Sequence, residues 1–169
     1  MDLYEAMEKR FSVRSYRDKP VEEEKLDRIL GAARAAPTAR NRQQWKLVVV
    51  RDAATRKRLA EAAGQPFLAE APAILAMVGL THGETMYCQI PTDPVDCAIV
   101  LDHVSLAAVA EGLGTCWIGH FDQESCCKIL GVPATARIIE LMPLGYPAAE
   151  RGGKSRKAMS DLVCHDKFA

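Results

Sequence analysis

Hydrophobic and polar positions divide the chain into two alternating kinds of segment. Apolar side chains that recur every three or four positions form one face of a helix, so this spacing predicts helices. Short runs rich in Val, Ile and Leu between turn-forming residues predict buried strands. Helices are expected at 3–10, 20–36, 52–63, 93–111 and 123–130, and strands at 47–50, 72–79, 115–119 and 138–147.

The helix expected at 93–111 stands out because apolar residues lie on nearly all of its sides. Pro94 fits the first turn, and Thr92 or Asp93 is expected to cap the first backbone N–H groups. A helix of this kind is buried on several sides, and a partner subunit can supply one of them. The polar stretches at 38–45 and 82–92 are expected to be loops, and the polar tail to stay disordered unless something ties it down.

Helices and strands alternate along the chain without an internal repeat, a low-complexity stretch or a long linker. Residues 1–169 are therefore expected to form a single domain, which is an ordinary size for one hydrophobic core. The alternation indicates the α/β or α+β class. It does not by itself decide whether the strands pair in parallel or antiparallel fashion.

The charge balance argues against a nucleic-acid partner, because 22 basic and 22 acidic residues cancel. Basic residues still cluster at 10–19, 34–46 and 151–157. These clusters are either ordinary solvated surface or groups gathered around one small anion. No apolar run is long enough to span a membrane, and the acidic start lacks the pattern of a signal peptide. A cytoplasmic protein that contacts neither membrane nor nucleic acid is expected.

The six cysteines and four histidines show none of the spacings typical of a metal site. In a cytoplasmic protein the cysteines are expected to be reduced thiols that pack as small apolar residues. No metal ion and no catalytic cysteine are therefore expected. The chain also lacks a nucleophile elbow, a phosphate-binding glycine loop and a dinucleotide-binding fingerprint, so a cofactor would have to supply the chemistry.

Four segments nevertheless resemble the motifs of one known family, the nitroreductases, in the order and spacing that this family has. They are the opening motif RFSVRSY at 10–16, the loop AAPTARNRQQW at 35–45, the segment GLGTCWIG at 112–119 and the basic tail KSRK at 154–157. Each motif is weak alone, but together they span nearly the whole chain. The resemblance implies an FMN-dependent oxidoreductase that uses NADH or NADPH as the electron donor.

The resemblance also implies how the cofactor is held. Arg10, Lys154 and Arg156 would bind the FMN phosphate, with Ser12 adding a hydroxyl donor. Arg14 would lie near the pyrimidine edge of the flavin, where a fixed positive charge raises the reduction potential. The complete set of cofactor-binding residues is expected to be Arg10, Phe11, Ser12, Arg14, Asn41, Gln43, Trp117, Ile118, Gly119, Lys154 and Arg156.

Two of these residues have a simpler interpretation from the pattern alone. Trp117 lies in an apolar segment and can be a core residue, and Asn41 can be a turn residue because Asn tolerates turn conformations. Near the ring, Asn41 would instead bond its polar edge, and Ile118 and Gly119 would supply an apolar contact and a backbone amide.

The fold that the resemblance implies is an α+β three-layer sandwich, with a mixed, mostly antiparallel sheet and flanking helices. Two chains would intertwine as a homodimer with FMN at the interface. The implied reaction is ping-pong: NAD(P)H reduces FMN at N5, and an electron-poor nitroaromatic or quinone-like acceptor then takes the electrons. Two alternatives remain open, a specialised flavin destructase or dehalogenase on the same fold and a non-catalytic flavin-binding dimer.

Overall fold

An antiparallel sheet runs through the computed structural model, which describes residues 1–81, 83–149 and 152–168. In these residues the sheet has four strands in the order β1-β2-β4-β3, namely β1 (Trp45–Val50), β2 (Ala73–Gly79), β3 (Gly114–Thr115) and β4 (Arg137–Gly145). All pairings between these strands are antiparallel, and a parallel bridge joins Ser12 to Thr115. The expected mixed, mostly antiparallel sheet is confirmed.

Helices cover both faces of this sheet. They are α1 (Leu3–Lys9), α2 (Glu23–Ala35), α3 (Ala53–Ala63), α4 (Phe67–Glu70), α5 (Thr92–Ala110) and α6 (Gln123–Leu130), with short 3-10 turns at Ala39–Asn41 and Met159–Asp161. Among the described residues, no helix has the length and apolar character needed to cross a bilayer.

Alternate residues of β2 pack into two separate cores. Leu75 and Met77 join the core formed with α2 and α5, whereas Ile74 and Ala76 join the core formed with α3, α4 and α6. All seven residues of β2 are buried, which explains why the sequence shows a continuous apolar run there. The two cores separate helix, sheet and helix layers, as the expected three-layer sandwich requires.

The segment after α1 lies directly against β3. The Val13 backbone N–H donates to the Thr115 carbonyl oxygen at 2.9 Å. A Cβ atom on Gly114 would lie 2.3 Å from Val13 Cγ2, so only glycine allows these two segments of the chain to approach this closely. This contact joins the first predicted motif to the third.

Two expectations about secondary structure were wrong at the ends of elements. The strand expected at 115–119 ends at Thr115, and Ile118 then forms an isolated bridge with Leu141. The second helix starts at Glu23 rather than at Pro20. The short helix α4 was not predicted, because four residues carry too little periodicity to be recognised.

The expected cap of α5 was also wrong. Thr92 is the first helical residue, Pro91 occupies the capping position, and no side chain caps this end. The Asp93 carboxylate instead accepts hydrogen bonds from the Thr81 backbone N–H and hydroxyl group. This side chain therefore joins the start of α5 to the end of β2.

Candidate active site

The first motif follows α1 as an extended segment. Helix α1 ends at Lys9, and the buried Tyr16 fixes the far end of the motif by donating its hydroxyl to the Val13 carbonyl oxygen at 2.8 Å. Arg10 is half-buried and Arg14 is exposed. Within the described residues, neither guanidinium forms a hydrogen bond or pairs with a carboxylate, so both remain available for an anion.

The buried thiol of Cys116 marks the place where several charged groups meet. Burial raises its pKa, while Arg14, Ser12 and Arg10 act in the opposite direction. Glu140 adds a smaller effect that raises the pKa again. The bridge between Ser12 and Thr115 and the hydrogen bond from the Val13 N–H to the Thr115 carbonyl oxygen bring the first motif next to the residue that precedes Cys116.

The residues after Cys116 border a cavity of about 700 Å³ between the start of α5 and β4. Trp117 and Gly119 line it, together with Asp93, Ala98 and Glu140. The Trp117 side chain is half-buried and also packs against the core of α2 and α5, so both of its expected roles are compatible with its position. Ile118 is buried with the other core.

The space beside Gly119 is open, and no feature of this chain requires glycine at this position. Its φ is not in the left-handed region, and a Cβ atom would meet only the two Glu140 carboxylate oxygens, both at 3.8 Å. Neither backbone conformation nor packing therefore demands glycine here. The missing side chain leaves room for a flat group to lie against the backbone.

The second motif forms a strained loop at the start of α5. Arg40, Asn41 and Gln43 all have φ near +54°, at 53°, 54° and 54° respectively. Asn tolerates this conformation, but for Arg and Gln it costs on the order of 1 kcal/mol each. Such strain persists only where neighbouring groups enforce it.

Asp96 on α5 is the group that fixes this loop. It is 6% exposed, and its two carboxylate oxygens accept from the Ala39 backbone N–H at 3.0 and 3.2 Å. The Thr38 hydroxyl accepts from the Gln43 backbone N–H at 3.0 Å, and Arg42 pairs with Glu84. Within the described residues, no hydrogen bond or ion pair links this loop to Arg10, Ser12 or Arg14.

Replacing Asp96 with Ala is expected to lower the free energy of unfolding by about 1–3 kcal/mol, because the Ala39 N–H loses its charged acceptor. Urea unfolding measures this loss, and amide exchange at Ala39 should become faster. Asp96→Asn keeps one acceptor oxygen and is expected to lose less stability. Equal stability of wild type and Asp96→Ala would show that Asp96 does not hold the loop.

The tail brings one predicted phosphate ligand back to α1. The Lys154 ammonium donates to the Met7 carbonyl oxygen at 2.9 Å, one turn before Arg10. Arg156 donates to the Ser155 carbonyl oxygen and is exposed. Arg151 of the same basic cluster lies outside the described residues. The structure thus places Arg10, Ser12, Arg14 and Lys154 in one region, whereas Arg156, Asn41 and Gln43 make no described contact with it.

These arrangements can be compared with known proteins. The family model described as "Nitroreductase family" matches residues 7–75 and 63–146. The chain belongs to the nitroreductase family. This confirms the resemblance seen in the four motifs and, with it, the expected class of NAD(P)H-dependent oxidoreductases that use FMN.

Curated nitroreductase relatives align over most of the chain. A protein named "NADH dehydrogenase" from Thermus thermophilus is 37% identical, with 96% of this chain and 95% of the relative covered. A "Putative NADH dehydrogenase/NAD(P)H nitroreductase" from Archaeoglobus fulgidus is 33% identical, with 84% and 83% covered. An "FMN reductase [NAD(P)H]" from Bacillus subtilis is 30% identical, with 92% and 70% covered.

A solved structure confirms the nitroreductase fold. A nitroreductase family protein from Clostridium difficile superposes with a TM-score of 0.90 at 28% identity, covering 99% of this chain and 100% of that one. The similar lengths show that this short nitroreductase contains the elements of that fold without a large insertion.

The site fits the cofactor of this family on two structural observations. In the part of the chain that the structure describes, Arg10 and Arg14 have no carboxylate partner, and Ser12 lies between them in the first motif, so this segment offers guanidinium and hydroxyl donors for a phosphate dianion. Gly119 leaves an open flank beside a cavity, and the half-buried Trp117 borders the same cavity.

Sequence analysis missed three residues that organise this nitroreductase site. Cys116 lies within the third motif but was expected only to pack as a small apolar residue, Asp96 holds the strained loop, and Glu140 faces the cavity. Glu140 did carry a signal, because it is an acid inside the apolar run at 138–147. Asp96 carried a weaker one, as a charged residue on the inner side of an apolar helix.

Proposed function

We propose that this chain works as a homodimer that carries a hydride from NAD(P)H to bound FMN and then to an electron-poor small molecule. Nitroaromatic and quinone-like compounds are the acceptor classes, and the two halves of the reaction alternate in a ping-pong cycle. The observation that carries this proposal is the bridge between Ser12 and Thr115, which joins the first motif, with Arg10 and Arg14, to the segment whose Trp117 and Gly119 line the open cavity.

Arg10 and Ser12 would hold the phosphate of the cofactor. A phosphate with about two negative charges is bound best by guanidinium forks and hydroxyl donors. Lys154 contacts the carbonyl oxygen of Met7, one turn before Arg10, and would add a third donor from the tail. Arg156 completes the predicted set only if the exposed tail folds over the bound phosphate.

Arg14 and the segment 117–119 would orient the ring. When bound, FMN would accept the hydride of NAD(P)H at N5 and pass it to the acceptor. Arg14 would place a fixed positive charge near the pyrimidine edge, which favours the anionic reduced form and raises the potential. The Gly119 backbone would lie against the ring, and Trp117, which lines the cavity, would exclude water from one side of it.

A single cavity beside the ring supports the ping-pong order. Its volume of about 700 Å³ falls within the usual range for one small-molecule site. With the flavin ring in place, donor and acceptor would compete for the same remaining space. NAD(P)+ would therefore have to leave before the acceptor could bind.

The exposed apolar surface supports a dimer. On α1, Leu3, Tyr4 and Met7 are 57%, 81% and 44% exposed, although a monomer gains nothing from apolar residues in water. Helix α1 packs against α5, whose side chains Ile99 and Leu106 are only half-buried. A second copy of the chain would cover this surface.

Spectroscopy and kinetics of the purified protein test the proposal. We expect the absorbance of oxidised flavin, release of FMN rather than FAD on heating, and parallel lines in double-reciprocal plots at several acceptor concentrations. NAD(P)H alone should bleach the flavin under anaerobic conditions, and menadione or nitrofurazone should restore its colour. Intersecting lines would contradict the ping-pong order, and a protein that fails to bind added FMN would contradict the whole proposal.

A further inference from the structure

A β-bulge in β4 turns an acidic residue into the cavity. The register shifts between Met77, which pairs with Glu140, and Val78, which pairs with Ile138. Ile139 is therefore an extra residue in β4, and Ile138, Ile139 and Glu140 all line the cavity although successive strand residues normally face opposite sides. Bulges commonly re-aim a side chain beside a functional site.

The Glu140 carboxyl group has no partner of its own in the described part of the chain. No described side chain donates a hydrogen bond to it or pairs with it, in contrast to the other two acids of the cavity. Glu84 pairs with Arg42, and Asp93 accepts from Thr81. A half-buried carboxyl group without a partner favours its neutral, protonated form.

The neighbours of Glu140 come from four parts of the fold. The buried Cys116 thiol interacts electrostatically with it, and Asp93 on α5 and Glu84 face the same cavity. Arg137 lines the cavity from the exposed start of β4. Burial raises the pKa of the Glu140 carboxyl group from its ordinary 4.5 to about 7.

We infer that Glu140 is the redox-linked proton carrier of this site, taking up a proton when the bound cofactor is reduced and giving it to the acceptor. This inference rests on the proposed position of the FMN ring beside Gly119. Both carboxylate oxygens of Glu140 lie 3.8 Å from the position that a Cβ atom on Gly119 would take, so Glu140 borders the space beside this backbone. The negative charge that reduction adds to the ring would therefore act on the Glu140 carboxyl group.

The step balances for a quinone acceptor. Glu140 binds one proton from solvent when NAD(P)H has delivered its hydride and an anionic cofactor lies nearby. The quinone then receives the hydride, which carries both electrons, and the Glu140 O–H bond breaks to give the proton to a quinone oxygen. The products are the hydroquinone and the Glu140 carboxylate, which solvent protonates in the next cycle.

The pH dependence of the flavin midpoint potential, measured on the FMN-loaded protein, tests this inference. Above pH 7 wild type should take up an additional fraction of a proton per electron pair, because Glu140 is ionised in the oxidised state and protonated in the reduced state. In Glu140→Gln the midpoint potential should lose this additional dependence on pH. Glu84→Gln, the matched change at an ion-paired acid of the same cavity, should keep it.

A second measurement needs no cofactor. A carboxyl group with a raised pKa in the folded state stabilises the protein fully below its unfolded pKa and less as the pH rises through the folded value. Thermal unfolding of the FMN-free protein should therefore show wild type losing stability relative to Glu140→Gln between about pH 4.5 and pH 7.

The outcomes separate this inference from the proposed function. Equal potential curves for wild type and Glu140→Gln with FMN bound would overturn the role of Glu140 and leave the proposed function intact. The inference would also be overturned if Glu84→Gln, and not Glu140→Gln, lost the additional dependence of the midpoint potential on pH. A wild type that binds no FMN would instead overturn the proposed function, and Glu140 would then have no cofactor to serve.

Discussion

Replacing Arg10 with Ala is expected to weaken FMN binding by roughly ten- to a hundred-fold. A hydrogen bond to a charged group contributes about 1.5–3 kcal/mol, and the half-buried Arg10 would contact the phosphate in place of a carboxylate partner. Titration of the FMN-free protein with FMN, followed by quenching of flavin fluorescence, gives the dissociation constant. The free energy of unfolding should change little, because Arg10 forms no ion pair within the described residues.

Two further variants give this experiment its specificity. Arg10→Lys keeps the charge but loses the planar fork, so its affinity should fall between wild type and Arg10→Ala. Arg34→Ala removes an exposed arginine at the end of α2 and should leave FMN affinity unchanged. If Arg10→Ala bound FMN as tightly as Arg34→Ala does, the phosphate would have to lie elsewhere.

The sequence predicted most of the fold because its strongest patterns come from long, uniform elements. The continuous apolar run of β2 and the apolar α5 both arise from burial on several sides, and both elements lie close to their expected positions. Their ends were less predictable. Thr92 or Asp93 was expected to cap α5, yet neither does, and the Asp93 carboxylate accepts from Thr81 outside the helix instead.

The candidate site was predicted as a set of motifs rather than as an arrangement. The family resemblance indicated which residues belong together, but the contact between Val13 and Thr115 spans about a hundred residues of chain and leaves no local pattern. The same limit applies to the bulge that exposes Glu140 to the cavity, because it depends on the register between β2 and β4. The roles of Asn41 and Gln43 stay predictions.

Changing Gly114 to Ala is expected to cost about 1–3 kcal/mol of folding free energy, the usual penalty for overpacking a tight contact. The new Cβ would lie 2.3 Å from Val13 Cγ2 and 3.1 Å from Pro147 Cγ, and Val13 is itself buried. Urea unfolding measures the loss. The matched control is Gly31→Ala on α2, where no atom lies within 4 Å of the new Cβ and a gain of roughly 0.5–1 kcal/mol is expected.

The double variant Val13→Ala/Gly114→Ala distinguishes this clash from other effects of the substitution. Val13→Ala alone should destabilise the protein by leaving a cavity, but it also removes the Cγ2 atom that Gly114→Ala would strike. The two changes together should therefore cost less than the sum of the single changes, which a double-mutant cycle measures directly. Simple additivity would mean that the close approach of Val13 and Gly114 does not determine the cost. Because Val13 lies between Ser12 and Arg14, Gly114→Ala should also loosen FMN binding, and partial recovery in the double variant would show that this contact positions the first motif.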